Sequence, residues 1–147
     1  MTVVDDLKAF MTGRTTRLIL AHGTGHSGWC WYKVATLLRV AGHCVDASDL
    51  AACGANARRL RNTPTFEDYT RPLLDALRDF PDGERAVEVD HNFGGMSIML
   101  ASEEFPDKVA AAVFVTAFMP DCASPRSRRR KSRDARFATG THWSPCA

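Results

Sequence analysis

A chain of 147 residues, of which 45% are hydrophobic, is long and apolar enough to fold around one core, which excludes a disordered or collagen-like chain. No apolar run approaches the roughly 18 residues of a membrane span, and residues 1–16 lack the apolar region of a secretory signal. The five cysteines form no C-x-x-C pair, which favours reduced thiols and a cytoplasmic location.

The formal net charge of +2 is divided unevenly along the chain. From Cys122 onward seven basic residues accompany one acid, a local charge of +6, which leaves −4 for residues 1–121. We therefore predict an N-terminal segment (1–16), a folded domain (17–121) and a basic, disordered tail (122–147). Nucleic-acid binding by the arginine run is the less favoured alternative.

Short apolar strands alternate with helical patterns between Arg17 and Thr116. Strands are predicted at 17–21, 43–47, 86–89 and 110–116. Helical patterns begin near Trp29, Thr65 and Met96, and Pro72 is expected to kink or restart the second helix. This alternation predicts an α/β fold with about four parallel strands and flanking helices.

The most informative stretch is 87–95, where an apolar strand enters a sharp turn before a helix. The layout resembles a nucleophile elbow, in which G-x-S-x-G exposes a catalytic serine. Here the turn reads Asp90-His91-Asn92-Phe93-Gly94, so that an amide stands at the nucleophile position and an acid at the first glycine. Asparagine tolerates positive φ and can hold the bend, but it cannot form an acyl-enzyme. Asp90 would need a polar partner in so crowded a turn.

A second loop is predicted beside this turn, because both follow neighbouring parallel strands. In a hydrolase the backbone N–H after the nucleophile and one from an early loop form the oxyanion hole, and Phe93 and Thr24 hold those positions. The residues expected to line a pocket there are His22, Gly23, His91 and Asn92.

Two other motifs favour structural roles. Gly23-x-Gly25-x-x-Gly28 matches a dinucleotide fingerprint, with Asp46 or Asp49 as the ribose acid, but a loop whose glycines make room for the backbone is favoured. His22, His26 and Cys30, spaced by four, are expected to serve loop and core, so that neither metal nor cofactor is predicted.

Several ordered signatures give the chain a family resemblance. They are His22-Gly23, 28–33 (Gly-Trp-Cys-Trp-Tyr-Lys), 41–43 (Ala-Gly-His), 49–51 (Asp-Leu-Ala), 65–70 (Thr-Phe-Glu-Asp-Tyr-Thr), 72–74 (Pro-Leu-Leu), 105–109 (Phe-Pro-Asp-Lys-Val) and 110–121. Residues 17–121 resemble the N-terminal half of the plant methylesterase and hydroxynitrile lyase family of α/β-hydrolases. The resemblance implies hydrolysis of small carboxyl methyl esters, such as methyl salicylate, methyl jasmonate and methyl indole-3-acetate.

The chain departs from that family at the reaction centre. The family elbow is Gly-His-Ser-x-Gly-Gly, whereas this chain has Asp90 and Asn92. The resemblance also implies an acid and a base beyond the fourth strand, after a helical cap, but the pattern ends near 121–124 and His142 lacks a matching context. We therefore predict an incomplete α/β-hydrolase fold that is catalytically inactive and retains at most weak binding of a small carboxylic acid or its ester.

Three alternatives remain open. The chain could be a non-enzymatic interaction module, associating through the open sheet edge near 112–116 or through the basic tail. It could be a dinucleotide-binding fragment. It could also retain esterase activity through His91 or Ser97, although a side chain away from the apex would point away from the oxyanion donors.

Overall fold

The computed structural model describes residues 16–119, and the predicted basic tail and nearly all of the predicted N-terminal segment lie outside that range. Seven regular elements follow one another within it. They are β1 (Arg17–Ala21), α1 (Tyr32–Val40), β2 (Cys44–Asp46), α2 (Phe66–Arg78), β3 (Ala86–Asn92), α3 (Gly94–Glu104) and β4 (Val109–Ala117), with 3₁₀ turns at Gly28–Trp31 and Leu60–Asn62.

The strands form one parallel sheet in the order β2-β1-β3-β4. This confirms the predicted α/β class with four parallel strands. The two central strands are β1 and β3. The chain leads from β1 to β2 at one edge of the sheet and from β3 to β4 at the opposite edge. The carboxyl ends of such a pair flank the crevice in which open α/β sheets place their sites. The loop after β1 and the turn after β3 therefore lie side by side.

Apolar side chains cover both faces of the central strands. Along β1, Leu18 and Leu20 pack with Trp31 on the α1 side. The alternate residues of β1 belong to a larger core with α2 and α3. The buried members of that core are Ile19, Ala21, Leu50, Phe66, Tyr69, Leu73, Leu74, Leu77, Ala86, Ile98, Ala101 and Val109. Burial on both faces explains the continuous apolar run of β1.

The predicted limits of β1 agree with the structure, but the predicted end of β3 is wrong. The strand continues three residues beyond Val89, to Asn92. It does so because β4 pairs with it over that distance, with Asp90 opposite Phe114 and His91 opposite Val115. The polar residues Asp90 and His91 therefore belong to the strand and not to the turn.

Helix α2 begins where its sequence predicts and continues without a break through its internal proline. The Thr65 hydroxyl accepts a hydrogen bond from the Asp68 N–H, and the Asp68 carboxylate accepts one from the Thr65 N–H. The predicted restart at Pro72 is wrong, since the helix is continuous to Arg78. Leu73, Leu74 and Leu77 are buried beyond the proline. Their burial, at about 1.5–3 kcal/mol each, outweighs a proline penalty of about 3 kcal/mol.

Helix α1 lies less deeply than its apolar pattern suggests. Its buried residue is Ala35, whereas Leu37 is 70% and Val40 82% exposed. Trp29, expected at the start of the helix, lies in the preceding 3₁₀ turn and is 74% exposed. The helix ends before Gly42, whose φ of 91° continues the chain in a conformation that glycine adopts readily.

Two carboxylates are buried beneath α3. Glu88 and Asp90 are two residues apart on β3 and thus share a face, and both are fully buried. Ser102 donates a hydrogen bond to one oxygen of Glu88 (3.3 Å), while its other oxygen and both oxygens of Asp90 have no partner among the described residues. Burial raises the pKa of Glu88 from 4.5 to about 8 and that of Asp90 from 3.8 to about 7.

These raised pKa values make the stability depend on pH. A carboxyl whose pKa is higher in the folded than in the unfolded chain contributes its full stability below the unfolded value, near pH 4. That contribution is lost progressively as the pH rises from about 4 to about 7 to 8, because over this range the unfolded chain has released protons that the buried groups of the folded chain still hold. The substitution Asp90→Asn keeps the shape of the side chain and removes one of the two charges.

We expect Asp90→Asn to raise the free energy of unfolding by about 1–3 kcal/mol more near pH 8 than near pH 5. Urea unfolding followed by circular dichroism at both pH values measures this. Asp82→Asn, in an exposed turn, serves as the control and should have no effect at either pH. Equal effects of Asp90→Asn at both pH values would contradict the assignment.

Candidate active site

The turn after β3 is built around Asn92. This residue ends the strand with a φ of 54°, in the left-handed region, and α3 begins at Gly94. The end of β4 holds the turn, since the Phe118 N–H donates to the Asn92 carbonyl at 2.8 Å. Gly95 lies so close to the Phe118 carbonyl that a Cβ would meet its oxygen at 2.1 Å. The predicted strand–turn–helix bend is therefore present, with the expected residue at its apex.

The side chain of Asn92 accepts a hydrogen bond from a backbone N–H of its own turn. Its Oδ1 accepts from the Phe93 backbone N–H at 2.6 Å. That N–H is one of the two that the sequence proposes for an oxyanion hole. In this conformation it is directed to a neighbouring amide.

The loop after β1 lies against Asn92. A Cβ on Gly23 would stand 2.8 Å from the Asn92 Cβ, so that the close approach needs glycine. Thr24 follows directly; it is exposed, and its side chain interacts with the Tyr69 hydroxyl. The two predicted donor-bearing residues, Thr24 and Phe93, therefore belong to loops that touch.

The His22 ring fixes this loop from beneath. It is fully buried, its Nε2 accepts from the Leu50 N–H at 2.9 Å, and its Nδ1 donates to the Gly23 carbonyl at 2.9 Å. Burial also lowers the pKa of His22, which keeps the ring neutral. Both ring nitrogens are thus engaged within the loop, and the predicted role of His22 in lining a pocket stays a prediction.

Aromatic rings pack against one another beside the turn. The Phe93 ring lies edge to face against Phe66, with centroids 5.5 Å apart, and against Phe118 at 6.1 Å. These contacts couple the turn to α2 and to the end of β4.

The two proposed substitutes for the nucleophile point elsewhere. Ser97 is fully buried, and its hydroxyl pairs with that of Thr70 at 3.1 Å. His91 lies on the α1 side of the sheet, with its ring edge to face against Trp31 at 5.3 Å. Burial lowers the pKa of His91, and its Nδ1 is buried without a hydrogen-bond partner among residues 16–119.

The glycine-rich loop uses its acids internally. Asp49 accepts from the N–H groups of Gly28 and Ala55, each at 2.7 Å. A Cβ on Gly28 would stand 1.7 Å from the Ala47 carbonyl oxygen. Asp46 in turn accepts from the Ser48 N–H at 2.9 Å. These contacts favour a structural role for the glycines and acids over nucleotide binding.

Sequence reasoning considered the wrong histidine beside His26 and Cys30. The structure brings His91 to that pair, so that one ligand atom from each of the three residues lies within 4.8 Å of the others, whereas both ring nitrogens of His22 are engaged by Gly23 and Leu50. The signal was available in the predicted topology, because His91 stands at the carboxyl end of the strand next to this loop.

Within residues 16–119, no helix has both the length and the apolar character needed to cross a bilayer.

Known proteins share this arrangement of strands and loops. The profile of the α/β-hydrolase fold family matches residues 16–136. Esterase PIR7B of Oryza sativa subsp. japonica is 56% identical over 103 residues, which cover 69% of this chain and 38% of that protein. Methylesterase 1 of Arabidopsis thaliana is 48% identical over 109 residues, 74% of this chain and 41% of that protein. Methyl jasmonate esterase 1 of Vitis vinifera is 47% identical over 110 residues, 75% and 42%.

Solved structures give the same result. The structure of polyneuridine aldehyde esterase superposes with a TM-score of 0.72 at 45% identity, covering 74% of this chain and 42% of that one. The methylesterase MES16 from Arabidopsis gives 0.72 at 33% identity, covering 75% and 47%. The chain thus spans less than half the length of each of these relatives. By profile, sequence and topology, the chain belongs to the α/β-hydrolase family and is similar within it to the plant methylesterases.

Proposed function

We propose that this chain is a methylesterase-like protein that does not hydrolyse esters through an acyl-enzyme and retains weak binding of a small carboxylic acid or its methyl ester. The observation that carries this proposal is the hydrogen bond from the Phe93 N–H to the Asn92 side chain. The cytoplasm is its expected location, on the cysteine pattern given above.

The proposal rests first on what an amide at the apex cannot do. A serine hydroxyl attacks the ester carbonyl after giving its proton to a histidine. The Asn92 amide is not such a nucleophile, and among residues 16–119 no histidine hydrogen-bonds its side chain. Acyl transfer therefore lacks a nucleophile at the bend, and residues 16–119 place no histidine there as its base.

It rests second on the occupied donor. In a working elbow the N–H after the nucleophile stabilises the oxyanion, and loss of one such donor lowers kcat by about 10²–10³. Here the Asn92 Oδ1 takes that N–H at 2.6 Å. One residue thus removes the nucleophile and engages part of the oxyanion hole.

The groups that support residual binding surround the same turn. Gly23 and Thr24 lie on one side of the turn, and the partly exposed Phe93 ring, packed against Phe66, lies on the other. This combination suits a small aromatic or oxylipin acid. His22, His91 and Asn92 complete the proposed lining.

We expect the purified chain to hydrolyse neither p-nitrophenyl acetate nor methyl salicylate faster than buffer, measured by nitrophenolate absorbance and by chromatography. The variant Asn92→Ser should remain inactive, because a restored hydroxyl still has no base among the described residues. A plant methylesterase with an intact elbow provides the positive control. Saturable turnover by the unmodified chain, abolished by Asn92→Ala, would overturn the proposal.

The occupied donor makes a separate prediction for binding. Asn92→Gly keeps the left-handed conformation and releases the Phe93 N–H. We expect this variant to bind salicylate about 10–100-fold more tightly in calorimetry, since a hydrogen bond to a charged group contributes about 1.5–3 kcal/mol. Asn92→Asp is the matched control: it keeps an acceptor there, adds a like charge and should weaken binding. Equal affinity of all three proteins would contradict the role of this donor.

A second candidate function, self-association, is favoured by the edge strand. Among the described residues β4 has a neighbour on one side only. Val113 and Val115, which share the α1 side of the sheet with Val89 and His91, are 44% and 45% exposed. An exposed apolar edge is suited to pairing with a second copy.

We expect Val113→Lys to shift the chain toward monomer, because a lysine on an edge strand opposes strand pairing. Size-exclusion chromatography with light scattering measures the mass. Asn62→Lys, which adds the same charge in an exposed turn, should leave it unchanged. A monomeric unmodified chain at high concentration would exclude this candidate.

A further inference from the structure

We propose that His26, Cys30 and His91 form a zinc-binding site between the loop after β1 and the end of β3. The site lies on the α1 side of the sheet and does not use Asn92. It therefore stands independently of the proposed loss of esterase activity.

The geometry is close to what zinc needs. Two imidazoles and one thiol place a ligand atom each within 4.8 Å of the others. In a tetrahedral zinc site, bonds of about 2.0–2.3 Å put neighbouring ligand atoms roughly 3.5 Å apart. Side-chain rotation can supply the remaining ångström, and the exposed His26 is free of the core and can move toward the other two.

The backbone that carries the cluster is held in place. The His26 N–H donates to the Gly23 carbonyl at 3.1 Å, and the Cys30 N–H donates to the Ser27 carbonyl at 3.0 Å. His91 belongs to the central strand β3, which pairs on both sides. Two of the three ligands therefore come from a tightly turned loop and the third from the sheet, as a preorganised site requires.

One ring nitrogen of His91 lacks a hydrogen-bond partner among the described residues and could bind a metal ion instead. Its Nδ1 is buried and has no hydrogen-bond partner among residues 16–119. Its ring lies 5.4 Å from the His26 ring, centroid to centroid, and 5.3 Å from Trp31. A buried polar atom without a partner is unfavourable.

The local charge also suits a cation. Asp49 takes part in the same loop, where its carboxylate accepts a hydrogen bond from the Gly28 N–H at 2.7 Å. The negative charge of this carboxylate attracts a cation to the loop. Imidazole with thiolate is a donor set that zinc prefers and that magnesium and calcium do not. Three protein ligands would leave a fourth position for water.

The test is metal binding by the untagged full chain under a non-thiol reductant. We expect the chain to bind one zinc ion per molecule, in titrations where a competing chelator reports the free zinc. Cobalt substitution should give the near-ultraviolet charge-transfer absorption of a thiolate–cobalt bond. Cys30→Ala should abolish that absorption.

His26→Ala should weaken zinc binding by about 100-fold or more, since even loss of a group that only orients a ligand costs 10–100-fold. His26 is exposed, so this variant should keep the fold, as circular dichroism can verify. His43→Ala and Cys44→Ser carry the same types of change outside the cluster and should bind zinc as the unmodified chain does. Cys146→Ser provides the same control in the C-terminal region.

Three results would overturn the proposal. One is a folded chain that binds no zinc, or binds copper(I) but not zinc. Another is equal zinc affinity in the unmodified chain and in His26→Ala. The third is cobalt–thiolate absorption that persists in Cys30→Ala and disappears in Cys146→Ser, which would place the site elsewhere.

Discussion

One backbone conformation determines what the crevice of this protein can do. The chain passes from β3 to α3 through Asn92 at a φ of 54°, a region that residues with a Cβ seldom enter and that asparagine enters more easily than most. The same side chain accepts the hydrogen bond of the next N–H, at Phe93. In the function that we propose, a residue compatible with the bend stands at the nucleophile position and supplies an acceptor there. The backbone of Asn92 thus keeps the conformation of the bend, while its side chain accepts a hydrogen bond there.

The surroundings of the bend show how the scaffold tolerates its polar substitutions. The register of β3 and β4 shifts beside Asn92, where Thr116 has a positive φ of 47°, and the end of β4 then meets the bend through Phe118. Asp90, two residues before the bend, lies beneath α3, and its carboxyl oxygens have no hydrogen-bond partner among the described residues. The sheet accommodates it because burial favours the neutral acid near neutral pH.

Much of this architecture follows from local sequence. The remaining parts are determined by contacts between residues that are far apart in the chain. The limits of β1, the start of α2 at Thr65 and the bend at Asn92 depend on neighbouring residues, and the sequence predicts them. The extension of β3 to Asn92 depends on pairing with β4, and the continuity of α2 through Pro72 depends on buried leucines. The bond between Asn92 and Phe93 depends on a side-chain rotamer, and no residue pattern reports it.

The most direct measurement of the central claim is the hydrogen-exchange rate of the Phe93 amide, followed by NMR in the unmodified chain and in Asn92→Gly. If the Asn92 side chain holds this N–H, the Phe93 amide should exchange slowly in the unmodified chain and much faster in Asn92→Gly. The amides of β1 should be equally protected in both proteins. A Phe93 amide that exchanges at the same rate in the two proteins would show that Asn92 leaves this donor free, and would contradict the account.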